Sequence, residues 1–161
     1  MNKQITNILF LCWGNICRSP FAGALFTKLS DQNNRKDLTG DSAGLFALHG
    51  NSATHMAQKV AAEYGVDLTR HSAKPVSRQL VDWSDLILVM TKSHRDTLSE
   101  NFPEAAEKTR LIKQFARFGS RERGIADPYG LNYEAYRFCF LDIEDAVKGL
   151  IDFLSDSAVA S

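Results

Sequence analysis

Ile8-Leu9-Phe10-Leu11-Cys12-Trp13-Gly14-Asn15-Ile16-Cys17-Arg18-Ser19-Pro20 opens with a continuous apolar run, passes through a Gly-Asn turn and closes on Ser-Pro. The apolar run is the pattern of a strand buried on both faces. Ser19-Pro20 reads as the N-cap and first residue of a helix reaching about Leu29. In a strand, short loop and helix of this kind, backbone N–H groups converge on an anion, with the positive end of the helix dipole behind them. Arg18 adds a planar fork of donors matched to two phosphate oxygens. The same field favours a thiolate on Cys12, and a thiolate facing a cradle for a tetrahedral dianion is a nucleophile aimed at phosphorus. A cysteine alone at a strand end would be an ordinary core residue. Cys-x5-Arg-Ser on a strand-to-helix turn is a phosphate-handling site.

Outward from this stretch, strands and helices alternate. A second strand is expected around Asp37–Ala43. A helix follows from about Ala53 to Tyr64, with Met56, Val60 and Ala61 on one face and Gly65 as its stop. Val76–Asp82 reads as a short helix leading into the strand Leu86–Met90, and Ser93–Asn101 as a helix ended by Pro103. Leu111-Ile112 is a weak fourth strand, and Ala116–Gly130 a charged, exposed loop. A last amphipathic helix covers about Tyr133–Leu154, with Phe138, Ile143, Val147, Leu150 and Ile151 facing inward and Ser155–Ser161 a frayed tail. The fold class expected is α/β: one domain over 1–161, an open parallel sheet of about four strands with helices on both faces. Ligands on such sheets bind beyond the carboxyl ends of the strands, and the first such end is Cys12.

Composition narrows the function classes. Lys+Arg 19 balances Asp+Glu 19, which removes the usual electrostatic case for a nucleic-acid or anionic-membrane partner. Apolar runs stop well short of the ~20 residues of a membrane span, and the run near the amino terminus is too short for a signal-peptide core. Three cysteines, an odd number, suit reduced thiols in a cytoplasmic protein. A Walker loop would end in Gly-Lys-Ser/Thr, and a thioredoxin-type pair has two residues between cysteines where Cys12 and Cys17 have four. His49, His55, His71 and His94 show no paired metal-ligand spacing, so neither metal nor cofactor is expected. Taken singly, His55, His71 and His94 read as surface or capping residues.

The sequence resembles the low-molecular-weight protein tyrosine phosphatases of the bacterial type over roughly Ile8 to Leu154. The family's Cys-x-Gly-Asn-x-Cys-Arg-Ser-Pro stands at Cys12–Pro20, its Ser-Ala-Gly at Ser42-Ala43-Gly44, and its Asp-Leu-Ile strand ending in Met at Asp85–Met90. Its pre-helical His is matched by His71 and its Asp-Pro-Tyr by Asp127-Pro128-Tyr129. The resemblance implies a phosphocysteine intermediate on Cys12, phosphoryl binding by Arg18 and the loop from Trp13 through Gly14, Asn15, Ile16 and Cys17, and a hydrogen bond from Ser19 to the thiolate. It implies loop support by Asn15 tied to Ser42 and His71, and Asp127 as general acid and then base. Asp-Pro-Tyr is also a common turn, and Asp82 and Asp85 are the other carboxylates considered for the acid. The resemblance further implies a reversible Cys12–Cys17 disulfide under peroxide, whereas Cys139 reads as core.

Trp13 stands where the family usually carries a smaller aliphatic residue, which makes one pocket wall bulkier. The segment Leu45–Gly50 is shorter than in animal members and matches bacterial ones, including those paired with tyrosine kinases of exopolysaccharide export. Gly130 stands where animal members carry a second Tyr. The implied partner is a phosphotyrosine protein. Protein-arginine phosphatases on the same scaffold resemble Cys-x-Gly-Asn-Thr-Cys-Arg, and Ile16 occupies that Thr position. Ile16 as floor, with Trp13 and Tyr129 flanking, suits an aromatic ring. Arsenate reductases add a cysteine pair after the third strand, and Thr91–Asn101 has none. A redox- or anion-sensing module without catalysis is the remaining alternative.

Overall fold

The structure, a computed structural model, describes residues 4–160, with side chains described to residue 156. Expectations for residues 1–3 and for Ser161 lie outside it. Strand β1 (Asn7–Cys12) is central, pairing in parallel with β2 (Thr39–Gly44) on one side and β3 (Leu86–Val89) on the other. Strand β4 (Thr109–Leu111) extends the sheet beyond β3, giving the order β2-β1-β3-β4. The chain thus builds outward from β1 in one direction and then in the other. The crevice where that direction reverses opens at the carboxyl end of β1, where Cys12 sits.

Helices cover both faces, so the central strands β1 and β3 show no polar alternation from Ile8 to Cys12 and from Leu86 to Val89. Ile8, Phe10, Cys12, Leu86 and Leu88 point into a core shared with α1 (Arg18–Gln32), α2 (His55–Ala62) and α5 (Tyr133–Ala160). Their neighbours Leu9, Leu11, Ile87 and Val89 point to the opposite face, against Val81 of α3 (Arg78–Trp83) and Leu98 of α4 (Lys92–Asn101). Phe21 of α1 stacks on Phe140 of α5 with centroids 4.0 Å apart, so these two helices lock over the sheet. Truncating either ring should cost ~3–5 kcal/mol. Thr54, Ser77 and Thr91 cap α2, α3 and α4 by accepting from the backbone N–H three residues on. Pro103 ends α4 by opening a 3-10 turn over Pro103–Lys108.

Four expectations change. The N-cap of α1 is Cys17 rather than Ser19, and Pro20 is its third residue, because the Ser19 hydroxyl is turned back into the loop. Phe138 is 69% exposed, not inward. It lies two residues from both Tyr136 and Phe140, about 200° round the helix from the face those buried rings occupy. Helix α5 does not stop at Leu154 but continues to Ala160, through a sequence with no Gly or Pro to break it. The segment after Ala116 is irregular and largely exposed, yet Ile125 is buried and its N–H donates to the Met90 carbonyl at 2.8 Å.

Candidate active site

The loop between β1 and α1 is held from outside by its carbonyls. Those of Cys12, Trp13, Asn15 and Ile16 accept from Leu45 N–H, Phe46 N–H, His71 Nε2 and Thr54 N–H, at 2.7–3.0 Å. In a trans peptide the N–H points opposite to the C=O. The N–H groups of Trp13, Gly14, Ile16 and Cys17 therefore face away from these anchors. Helix α1 adds its positive end, with no side-chain cap and no acidic residue in the first turn. The approach is close: a Cβ on Gly44 would lie 2.6 Å from the Trp13 carbonyl oxygen, so only glycine lets β2 support the loop here.

Asn15 is fully buried with φ of 57°, a left-handed conformation that costs most non-glycine residues ~1–2 kcal/mol. Its side chain makes three hydrogen bonds. Nδ2 donates to Ser19 Oγ at 2.9 Å and to Ser42 Oγ at 3.0 Å, and Oδ1 accepts from Lys74 N–H at 3.1 Å. Burial pushes the His71 imidazole below its ordinary pKa, so at neutral pH it is uncharged and donates through Nε2 to the Asn15 carbonyl at 2.7 Å. Ser19 Oγ, already accepting from Asn15, lies 3.0 Å from Cys12 Sγ. Against a thiolate, only the hydroxyl can donate across that contact.

Arg18 is 2% exposed. Its Nη1 donates to the Ile125 carbonyl at 2.7 Å, Nη2 lies 3.6 Å from Asp127 Oδ2, and Nε has no hydrogen-bond partner among the described residues. Asp127, nearly half exposed, accepts from Tyr129 N–H at 3.0 Å through Oδ1. It is thus both the turn residue and a carboxylate at the cavity mouth. Asp85 instead accepts from Thr6 and Asn7 N–H at the start of β1, and Asp82 lines a cavity beside it. Both lie at the end of the sheet remote from Cys12, which removes them as acids. A cavity of about 220 Å³ is lined by Cys12, Trp13, Gly14, Ile16, Cys17, Arg18, Asp127 and Tyr129.

Cys17 is buried with its Sγ 3.3 Å from Tyr136 Oη and 3.6 Å from Thr54 Oγ1, and burial pushes its thiol pKa up. Cys12, Cys17 and Cys139 are all free thiols. Trp13 stacks on Phe46 and meets the edge of His94, which is buried rather than on the surface. Sequence reasoning missed Ile125, Lys74, Phe46 and His94. The first two act through backbone atoms, which carry no residue-specific signal. Among the described residues no cluster of three or more metal-ligating side chains occurs, and no helix is long and apolar enough to cross a membrane.

A family model described as low molecular weight phosphotyrosine protein phosphatase matches residues 7–159. The chain belongs to that family. Among its relatives this phosphatase is 38% identical over 152 residues to a protein-arginine-phosphatase of Geobacillus stearothermophilus, covering 92% of this chain and 93% of the relative. It is also 38% identical over 145 residues to the low molecular weight protein-tyrosine-phosphatase Wzb of Escherichia coli K12, covering 90% and 92%. The solved structure of the YwlE arginine phosphatase from Geobacillus stearothermophilus superposes with a TM-score of 0.86 at 34% identity, covering 96% of each chain. The phosphatase fold is therefore firm, while overall identity does not separate the two substrate classes.

Proposed function

We propose that this phosphatase hydrolyses phosphotyrosine in proteins through a phosphocysteine on Cys12. Cys12 Sγ attacks phosphorus as the P–O bond to the phenol breaks, and Asp127 gives its proton to the leaving oxygen. Arg18 and the inward N–H groups hold the phosphoryl oxygens as charge moves in line. Water then attacks phosphorus, Asp127 takes its proton, and the thiolate departs into the Ser19 hydrogen bond. The expected substrates are cytoplasmic phosphoproteins, with a tyrosine kinase among them.

The observation that carries tyrosine over arginine is the wall chemistry. Ile16, Trp13 and Tyr129 line the same cavity as Cys12, an apolar and flat surface for a phenyl ring. A phosphoarginine guanidinium would leave donors unpaired against Ile16, at roughly 1–3 kcal/mol each, a bias of about ten- to hundredfold. Phosphoarginine is the second reading, since the chain is as similar to the Geobacillus protein-arginine-phosphatase as to the tyrosine phosphatase Wzb, at 38% identity each. The test is kcat/KM on matched phosphotyrosine and phosphoarginine peptides, before and after Ile16→Thr. Tyrosine should win in the wild type and lose ground in the variant. A wild type that prefers phosphoarginine overturns the reading.

A further inference from the structure

His94 is a polar side chain that the mechanism does not use. It lies on the first turn of α4, is fully buried, and neither ring nitrogen has a hydrogen-bond partner among the described residues. A leucine would fill such a site without two unpaired polar atoms, so the imidazole needs a reason to be there. Its ring contact is with Trp13, at 4.5 Å between centroids and 85° between planes. Phe46 lies along the same indole, at 5.2 Å and 16°. Trp13 itself is part of the cavity wall. Edge-to-face and offset-stacked pairs are the two favourable aromatic geometries, and one indole has both.

We propose that His94 is a positioning residue for substrate: a buried imidazole which, with Phe46, fixes Trp13 as the wall against which the leaving group's ring packs. The imidazole stays neutral, its pKa pushed down to about 3 by burial and by the Arg18 charge, so it adds no second cation beside the phosphate cradle. The proposal rests on the phosphotyrosine reading, since it needs an aromatic leaving group, and the Trp13 emission tests it separately from which substrate class is preferred.

The test compares His94→Leu and His94→Phe with wild type on an aryl phosphate, a small alkyl phosphate and inorganic phosphate as inhibitor. Trp13 fluorescence is followed in a Trp83→Phe background. Losing one aromatic contact should raise KM for the aryl ester about three- to tenfold in His94→Leu. Its kcat, its KM for the alkyl ester and its phosphate inhibition should stay within about twofold, and the Trp13 emission should shift. His94→Phe, which keeps an aromatic edge, should restore most of the aryl KM. Equal losses on aryl and alkyl esters, weakened phosphate inhibition, or an unchanged Trp13 emission would each overturn the proposal. If His94→Leu does not fold, His94→Phe must still show near-wild-type aryl KM, and a large loss there overturns it as well.

Discussion

Replacing Asn15 tests whether the cradle is held by tertiary hydrogen bonds or is simply the relaxed shape of its loop. Asn15→Ala removes three side-chain bonds, to Ser19, Ser42 and the Lys74 N–H. At a net ~0.5–1.5 kcal/mol each they contribute about 1.5–4.5 kcal/mol. Alanine must also adopt the φ of 57°, which Asn tolerates better, at about 1 kcal/mol more. The expected loss in urea unfolding is therefore about 2.5–5.5 kcal/mol. Asn15→Gly should recover roughly 1 kcal/mol of it, since only the backbone penalty is relieved. Activity should suffer separately, because Asn15 and Cys12 share the Ser19 hydroxyl. A displaced cradle should cost at least ~10² in kcat/KM under conditions where the variant remains folded. A double-mutant cycle with Ser42→Ala should return a coupling of ~0.5–1.5 kcal/mol. If Asn15→Ala loses less than about 1 kcal/mol, or keeps near-normal kcat/KM, the loop does not depend on this clamp and the reasoning is wrong.

Asp127→Asn should lower kcat by ~10²–10⁴ for leaving groups of high pKa and far less for an activated phenol that needs no proton. Equal losses on both would remove Asp127 as the acid. His94 gives a pH signature: held neutral to about pH 3 in the fold but titrating near its ordinary ~6.5 when unfolded, it takes up a proton on unfolding below that pH. Its contribution to stability is complete above about pH 6.5 and fades as pH falls towards 3, at up to about 1.4 kcal/mol per unit. Unfolding free energies at pH 7 and 4.5 should shift by about 2–3 kcal/mol in favour of His94→Leu relative to wild type, and a constant difference refutes the assignment.

Residues 8–20 alone determined the central strand, the anion-binding turn and the pairing of Cys12 with Arg18, because all of these are set by short-range spacing. The alternation of strand and helical segments likewise implied a parallel sheet, since its central strands β1 and β3, covered on both faces, read as continuous apolar runs. Helix starts were read only to within a residue or two: α3 and α4 begin at Arg78 and Lys92 behind the caps Ser77 and Thr91, and in α1 Ser19 serves Cys12, so the cap position fell to Cys17. The inward face of α5 was misjudged at Phe138 because hydrophobicity marks a residue's cost in water, not which way the helix turns it. What only the tertiary structure decided is how the site is held. Lys74 N–H holds Asn15, the Ile125 carbonyl holds Arg18, and Phe46 and His94 hold Trp13. The first two contacts use backbone atoms, which every residue type shares, and all join segments far apart in the chain. No local pattern records such contacts, because they exist only once β1 has brought the separate loops to one edge of the sheet.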